Sequence, residues 1–261
     1  MSGMTLLDAL ILGTLEGLTE YLPVSSTGHL IIGAHFLGLE SNAFLKSFEI
    51  VIQSGAILSV LIVYWRRFFQ NWDWGFYQKI VVSFLPAAVI GFALKKVIDH
   101  MLESWWTVAA TMFLGGVFLI WMERKRIFEQ NQKTINQLTV RDCLLLGLFQ
   151  CLAMIPGTSR SGATIVGGLF LGLRKDEATQ FSFFLAVPTL VGASVLKFQD
   201  AAPYLTNENA TLLAAGWLMS FFIGVVAIKG FIRIVSTQGF TGFGLYRILF
   251  ALLAVSALYE F

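Results

Sequence analysis

Long apolar runs separated by short charged breaks dominate the chain. Ile50 to Trp65, closed by Arg66-Arg67, reads as one membrane-spanning helix. Ile80 to about Ile98, with a kink expected at Pro86, reads as a second, and Trp105 to Met122, stopped by Glu123-Arg124-Lys125-Arg126, as a third. Phe181–Phe198, Leu212–Ile232 and Leu245–Tyr259 form three more. Two other apolar stretches are broken. Leu6 to Leu22 ends at Pro23, and Leu30 to Leu39 follows; Cys143 to Ile155 ends at Pro156, and Gly162 to Leu173 follows. Each piece falls short of the roughly 20 residues needed to cross a bilayer. Two short helices joined at a Pro/Ser/Thr/Gly tip predict a re-entrant hairpin, which membranes tolerate only where protein or water satisfies the freed backbone. A single kinked spanning helix is the competing reading.

The two broken stretches are copies of each other. A shift of 134 places Asp8 on Asp142, Gly13 on Gly147, Ser25 on Ser159, Gly28 on Gly162 and Gly33 on Gly167. It also places Phe36-Leu37-Gly38-Leu39 on Phe170-Leu171-Gly172-Leu173. The predicted architecture is an all-α polytopic membrane protein forming one integral membrane domain over 1–261. Repeat one covers 1–126, a polar linker 127–140, and repeat two 141–261, each repeat holding a re-entrant hairpin and three spans. Three spans per repeat is odd, so the second copy is expected to insert upside down.

Composition agrees with a membrane protein. Hydrophobic residues make up 56% and charged ones 13%, about half the charged share of a soluble chain. The formal charge of +2 gives no reason to expect nucleic acid. Cys143 and Cys151, eight apart on a helix, are too distant for a disulfide and read as packed apolar residues. No basic segment precedes the first apolar run, so a cleavable signal peptide is not expected. Trp65, Trp105, Trp106, Trp217 and Tyr259 sit at span ends, as an interfacial belt would.

Charge sets the expected orientation. Residues 66–79, 123–141, 174–177 and 229–247 carry thirteen Lys/Arg, whereas the opposite side carries four: Lys46, Lys95, Lys96 and Lys197. The positive-inside rule then places the former regions in the cytoplasm and both termini outside. The first hairpin enters from outside, the second from the cytoplasm, and their tips meet near the midplane.

The tips carry the chemistry. The run from Leu6 to Leu39 has no Lys or Arg, yet contains E-G-L-T-E-Y-L-P-V-S-S-T-G-H over residues 16–29. Carboxylates at membrane depth mark functional sites more often than structural ones. Glu16 and Glu20, one turn apart, suit a divalent metal or a general base. Ser25, Ser26 and Thr27 precede a helix; capping accounts for one hydroxyl, while the helix N-terminus offers a phosphate site. The second tip, P-G-T-S-R-S-G over 156–162, adds Arg160, whose charge needs a carboxylate from the other repeat or an anionic ligand. His29 reads equally as a catalytic or a satisfied structural residue, and His35 and His100 as structural or interfacial. Together these groups predict a phosphoryl-transfer or phosphate-hydrolysis site. Ser26 is the preferred nucleophile, Glu20 or His29 its base, and Arg160 the stabiliser of developing charge. A transporter of a phosphorylated lipid or anion, built from the same meeting tips, is the rival class.

Residues 16–29 and P-G-T-S-R-S-G-A-T over 156–164 resemble the two signature motifs of the undecaprenyl-diphosphate phosphatases of the BacA/UppP type, and the resemblance runs along essentially the whole chain. It implies a bacterial inner-membrane enzyme, its active site open to the periplasm, that removes the terminal phosphate of undecaprenyl diphosphate. The lipid carrier is thereby recycled for peptidoglycan and other wall polymers, and bacitracin resistance follows. The resemblance maps important groups onto Glu16, Glu20, Ser25, Ser26, Thr27, His29, Ser159, Arg160 and Thr164, with Ser161 beside them in the second motif, and implies dependence on magnesium or calcium. Expected partners are the polyprenyl diphosphate and the bilayer, with a homodimer left open. Attack by His29 or by activated water stays open beside Ser26.

Overall fold

The computed structural model describes residues 3–102 and 104–259. The chain runs as α1 (Leu6–Thr19), α2 (Ser26–Phe36), α3 (Ala43–Val63), α4 (Trp74–Ala93), α5 (Lys95–Leu102), α6 (Trp105–Arg124), α7 (Val140–Cys151), α8 (Arg160–Phe170), α9 (Lys175–Ala201), α10 (Ala210–Gln238) and α11 (Thr241–Tyr259). Among the described residues, α3, α4, α6, α9 and α10 contain segments long and apolar enough to cross a membrane, and α11 is apolar over Thr241–Ser256. The protein is an all-α polytopic membrane protein.

The broken stretches form the two expected hairpins. Helices α1 and α2 have 14 and 11 residues, and α7 and α8 have 12 and 11. At ~1.5 Å per residue none reaches across a hydrocarbon core of ~30 Å. The copies agree in local detail. Thr5 and Asp8 make a reciprocal capping box at the start of α1, and Thr139 and Asp142 make the same box at α7. Ser25 caps α2 at φ 70°, and Ser159 caps α8 at φ 76°; each hydroxyl accepts from the glycine N–H three residues on. A left-handed backbone at a non-glycine residue costs about 1–3 kcal/mol. Its occurrence at both tips means the surroundings hold both in the same shape.

Each hairpin packs on a long helix of the other half. Helix α1 lies along α10, and α7 lies along α4. Helix α10 also packs on α3, α9 on both α3 and α4, and α11 on α6. Small residues permit the close approach. A Cβ at Gly17 would stand 2.5 Å from the Ser220 carbonyl oxygen of α10. At the equivalent α7–α4 contact, a Cβ at Gly147 would stand 2.7 Å from the Pro86 ring. Between the hairpins lies an aromatic core. Tyr21 is fully buried there, edge-on to Phe183 at 5.3 Å, and its hydroxyl donates to the Ala56 carbonyl at 2.5 Å.

Several expected boundaries shift. Helix α3 begins seven residues before Ile50, at Ala43, which brings Glu49 inside it. The second span ends at Ala93, and the short amphipathic α5 follows it. Helix α9 starts at Lys175 and runs to Ala201, longer at both ends than the expected span Phe181–Phe198. The linker is polar but docked. Asn131 donates to the Leu169 and Leu173 carbonyls at 2.7 and 3.0 Å, and Lys133 pairs with Asp142 at 2.7 Å. Lys175 pairs with Glu123, and Glu177 accepts the Ile135 N–H at 2.7 Å. Cys143 and Cys151 are free thiols. Trp65 and Trp106 are about half exposed. Trp217 instead donates to Ser54 at 2.9 Å, joining α10 to α3. The side chains of Tyr259 and Asp200 lie outside the described residues.

Candidate active site

The two tips meet. Ser161 Oγ, at the start of α8, donates to the Leu22 carbonyl of the first tip at 2.7 Å, and Ser159 Oγ reaches the same oxygen at 3.4 Å. Arg160 crosses the same junction. Its Nη2 donates to Glu20 Oε1 at 2.9 Å, and its Nη1 donates to the Ser182 carbonyl of α9 at 2.9 Å. The one acid of its own hairpin, Asp142 at the start of α7, is paired with Lys133, so the guanidinium takes its counter-charge from the other hairpin. The Arg160 and Glu20 side chains are largely buried, at 10% and 5% exposure, so removing either partner would strand a charge in a medium where that is costly.

The other oxygen of Glu20 serves a hydroxyl. Ser26 Oγ, in the first turn of α2, donates to Glu20 Oε2 at 2.6 Å. This is within reach for general-base proton transfer. Ser26 and Thr27 line a cavity of about 610 Å³ together with Glu16, Glu49, Gln53 and Ser194. Lys46 and Lys197 line it as well. Helix α2 therefore presents its N-terminal turn, with its partial positive charge, to a chamber walled by α3 and α9.

The remaining residues singled out in the sequence fall into place differently. Ser25 caps α2 through Gly28 N–H. Ser159 donates to Ser161 at 2.9 Å, and Ser161 donates to the Leu22 carbonyl. Thr164 Oγ1 lies 2.9 Å from the Arg160 carbonyl of its own helix and 2.7 Å from Ser182 Oγ. These four hydroxyls hold the tips rather than line the cavity. The structure does not bring His29 to Ser26. Its Nδ1 faces the Ser25 carbonyl at 2.7 Å, its Nε2 faces Tyr246 Oη at 2.7 Å, and its ring stacks on Phe250 at 4.0 Å. Nδ1 must carry the proton to meet a carbonyl, which leaves Nε2 as acceptor from the tyrosine. His29 links α2 to α11.

Arg247 departs most from its sequence assignment. Grouped by its position with the cytoplasmic cations, it is 1% exposed and drops out of that count. Its five N–H groups meet five carbonyls: Met112, Thr111, Pro23, Gly157 and Thr158, at 2.9–3.1 Å. It pins the first tip, the second tip and α6 at one point. Thr111 adds a bond to the Pro156 carbonyl at 2.5 Å.

The implied divalent cation matches the donors in part. Glu16 is 1% exposed, and neither of its carboxylate oxygens has a hydrogen-bond partner. A buried carboxylate without donors needs a proton or a cation. Glu20 fits less well, because its two oxygens already serve Arg160 and Ser26. Among the described residues no three His, Cys, Asp or Glu side chains form a ready cage.

The residues that sequence reasoning passed over are Glu49, Gln53, Lys46, Lys197, Tyr246 and Arg247. Glu49 was legible in principle, since an acid four residues ahead of Gln53 shares its helix face.

Comparison with known proteins bears on the whole chain. The family model described as bacitracin resistance protein BacA matches residues 9–253. An undecaprenyl-diphosphatase of Bdellovibrio bacteriovorus is 49% identical over 98% of this chain and 97% of its own. One of Flavobacterium johnsoniae is 46% identical over 94% and 93%, and one of Campylobacter jejuni 41% identical over 93% and 91%. With a match of that extent laid over two joined tips and an acid-bound serine at a cavity wall, the chain belongs to the BacA bacitracin-resistance family.

Proposed function

We propose that this protein removes the terminal phosphate of undecaprenyl diphosphate, giving undecaprenyl phosphate and inorganic phosphate, with Ser26 as nucleophile. The observation that carries the mechanism is the 2.6 Å contact of Ser26 Oγ with Glu20 Oε2 at the wall of the cavity. As Ser26 Oγ forms its bond to the terminal phosphorus, its proton passes to Glu20. The bond from that phosphorus to the bridging oxygen breaks, and the lipid monophosphate leaves. Glu20 passes that proton to the departing oxygen; water then gives a proton to Glu20 as it attacks the phosphoserine, the Ser26 Oγ–phosphorus bond breaks, and Ser26 takes the proton back as phosphate leaves. Arg160 holds Glu20 in place and offers positive charge beside the reacting centre. The N-terminal N–H groups of α2 serve the phosphoryl oxygens in the same way. Lys46 and Lys197 draw the diphosphate inward. A divalent cation, when bound, offsets the charge on the diphosphate and eases departure of the bridging oxygen.

The two halves are proposed to be inverted repeats in the inner membrane, with the cavity open to the periplasm. The exchange of partners between halves supports the symmetry. The four cations assigned outside include Lys46 and Lys197, which line this cavity. Thr27 remains a candidate phosphate contact; Ser25, Ser159, Ser161 and Thr164 act by holding the tips. Phosphate release from undecaprenyl diphosphate by purified protein in detergent tests the reading. Steady release supports it, while none would leave a carrier that moves the lipid without cleaving it.

A further inference from the structure

The mechanism leaves Glu16, Glu49 and Gln53 unused. Glu16 projects from α1 into the cavity that Ser26 lines, with both oxygens buried and unpartnered. Glu49 and Gln53 line the same cavity from α3, one turn apart. Arg160 acts electrostatically on Glu16, and Lys46 and Lys197 on Glu49, while the carboxylates of Glu49 and Glu20 both act on Glu16. Of the two, Glu20 is already bound to the Arg160 guanidinium. A dication on the far side of that carboxylate would face the guanidinium's positive charge at short range.

We propose that the divalent cation is held by Glu16 and Glu49, with the Gln53 amide oxygen as a third donor, and that Glu20 lies outside the ligand set. The inference rests on the phosphatase reading for its purpose but not for its geometry. Two carboxylates and an amide oxygen are hard donors, suited to magnesium or calcium. Magnesium commonly takes one or two protein carboxylates and fills its remaining positions with water and substrate phosphate. The lack of a three-acid cage among the described residues accords with that habit. The arrangement also divides the labour. Lys46, exposed, and Lys197 line the same cavity beside Glu49 and meet anionic charge together with the cation, and Glu20 stays free to take the Ser26 proton.

Mn2+ alone, followed by electron paramagnetic resonance on purified protein without substrate, tests this. Wild type is expected to bind Mn2+ and release it to excess Mg2+. Glu16→Gln and Glu49→Gln should each weaken binding by about tenfold or more, Gln53→Leu by a smaller factor, and Glu49→Asp should retain most of it. Glu20→Gln should bind within about threefold of wild type. Thermal unfolding of each variant separates lost ligands from lost fold. Wild-type affinity in Glu49→Gln, a loss in Glu20→Gln equal to that in Glu16→Gln, or no Mn2+ bound by wild type would each overturn the proposal. Phosphate release is read separately. Its absence beside intact Mn2+ binding would sink the phosphatase reading and leave the cation site standing.

Discussion

Replacing Arg247 with methionine removes the single group that ties both tips to α6. Methionine fills much of the volume but donates nothing, so five carbonyls lose a donor at once, three of them (Pro23, Gly157 and Thr158) outside any helix. A hydrogen bond from a charged donor contributes about 1.5–3 kcal/mol net. Five would sum to about 8–15 kcal/mol. Water entering the gap, and relief from burying a guanidinium with no carboxylate beside it, reduce that to about 5 kcal/mol. This is a large share of a whole domain's stability, roughly 5–15 kcal/mol. For a chain of this size it corresponds to a fall of ~10 °C or more in the unfolding midpoint. Arg247→Lys, with three donors at best, should fall between wild type and Arg247→Met. Thermal unfolding in detergent and phosphate release measure the two consequences. An Arg247→Met protein that unfolds within about 3 °C of wild type and turns over at a similar rate would refute the assignment of Arg247 as the staple of the tips.

Other outcomes follow from the same geometry. Lys46→Gln with Lys197→Gln should raise KM several-fold and leave kcat nearly unchanged, since both residues line the cavity and neither bonds to Ser26 or Glu20; a drop in kcat alone would contradict this. Tyr246→Phe removes the donor to His29 Nε2 and should cost about 1 kcal/mol of stability while leaving the pH profile of kcat in place. A displaced profile would return His29 to the list of bases. Cysteine labelling in intact cells should reach positions 202–209 from outside and 127–139 only after permeabilisation, and the reverse pattern would invert the proposed topology.

The hairpins were legible because their length and chemistry disagree with any single span. An apolar run too short to cross, stopped at Pro23 or Pro156 and repeated 134 residues later, leaves few alternatives. The Glu20–Arg160 pairing could be anticipated from charge, since a buried guanidinium needs a partner and the one acid of its own hairpin, Asp142, stands at the start of α7, away from the tip. Glu49 was lost to a boundary error. Hydropathy rises at Ile50, whereas Asn42 caps the helix through Leu45 N–H and carries α3 past Lys46 and Glu49 before the apolar run starts. Arg247 was misread because it stands near the end of a charged segment, where an arginine ordinarily faces water; its partners lie 89 to 224 residues away. His29 shows the same limit. Its neighbours in sequence suggested catalysis, and its neighbour in space, Tyr246, is 217 residues distant.

Turnover of undecaprenyl diphosphate by Ser26→Ala, set beside Ser25→Ala, tests the central claim most directly. Removing a nucleophile should lower kcat by roughly a thousandfold or more. Removing the Ser25 cap should cost stability first and activity only in proportion to the loosened tip. A Ser26→Ala enzyme within tenfold of wild type, or equal losses in the two variants, would show that Ser26 does not attack phosphorus.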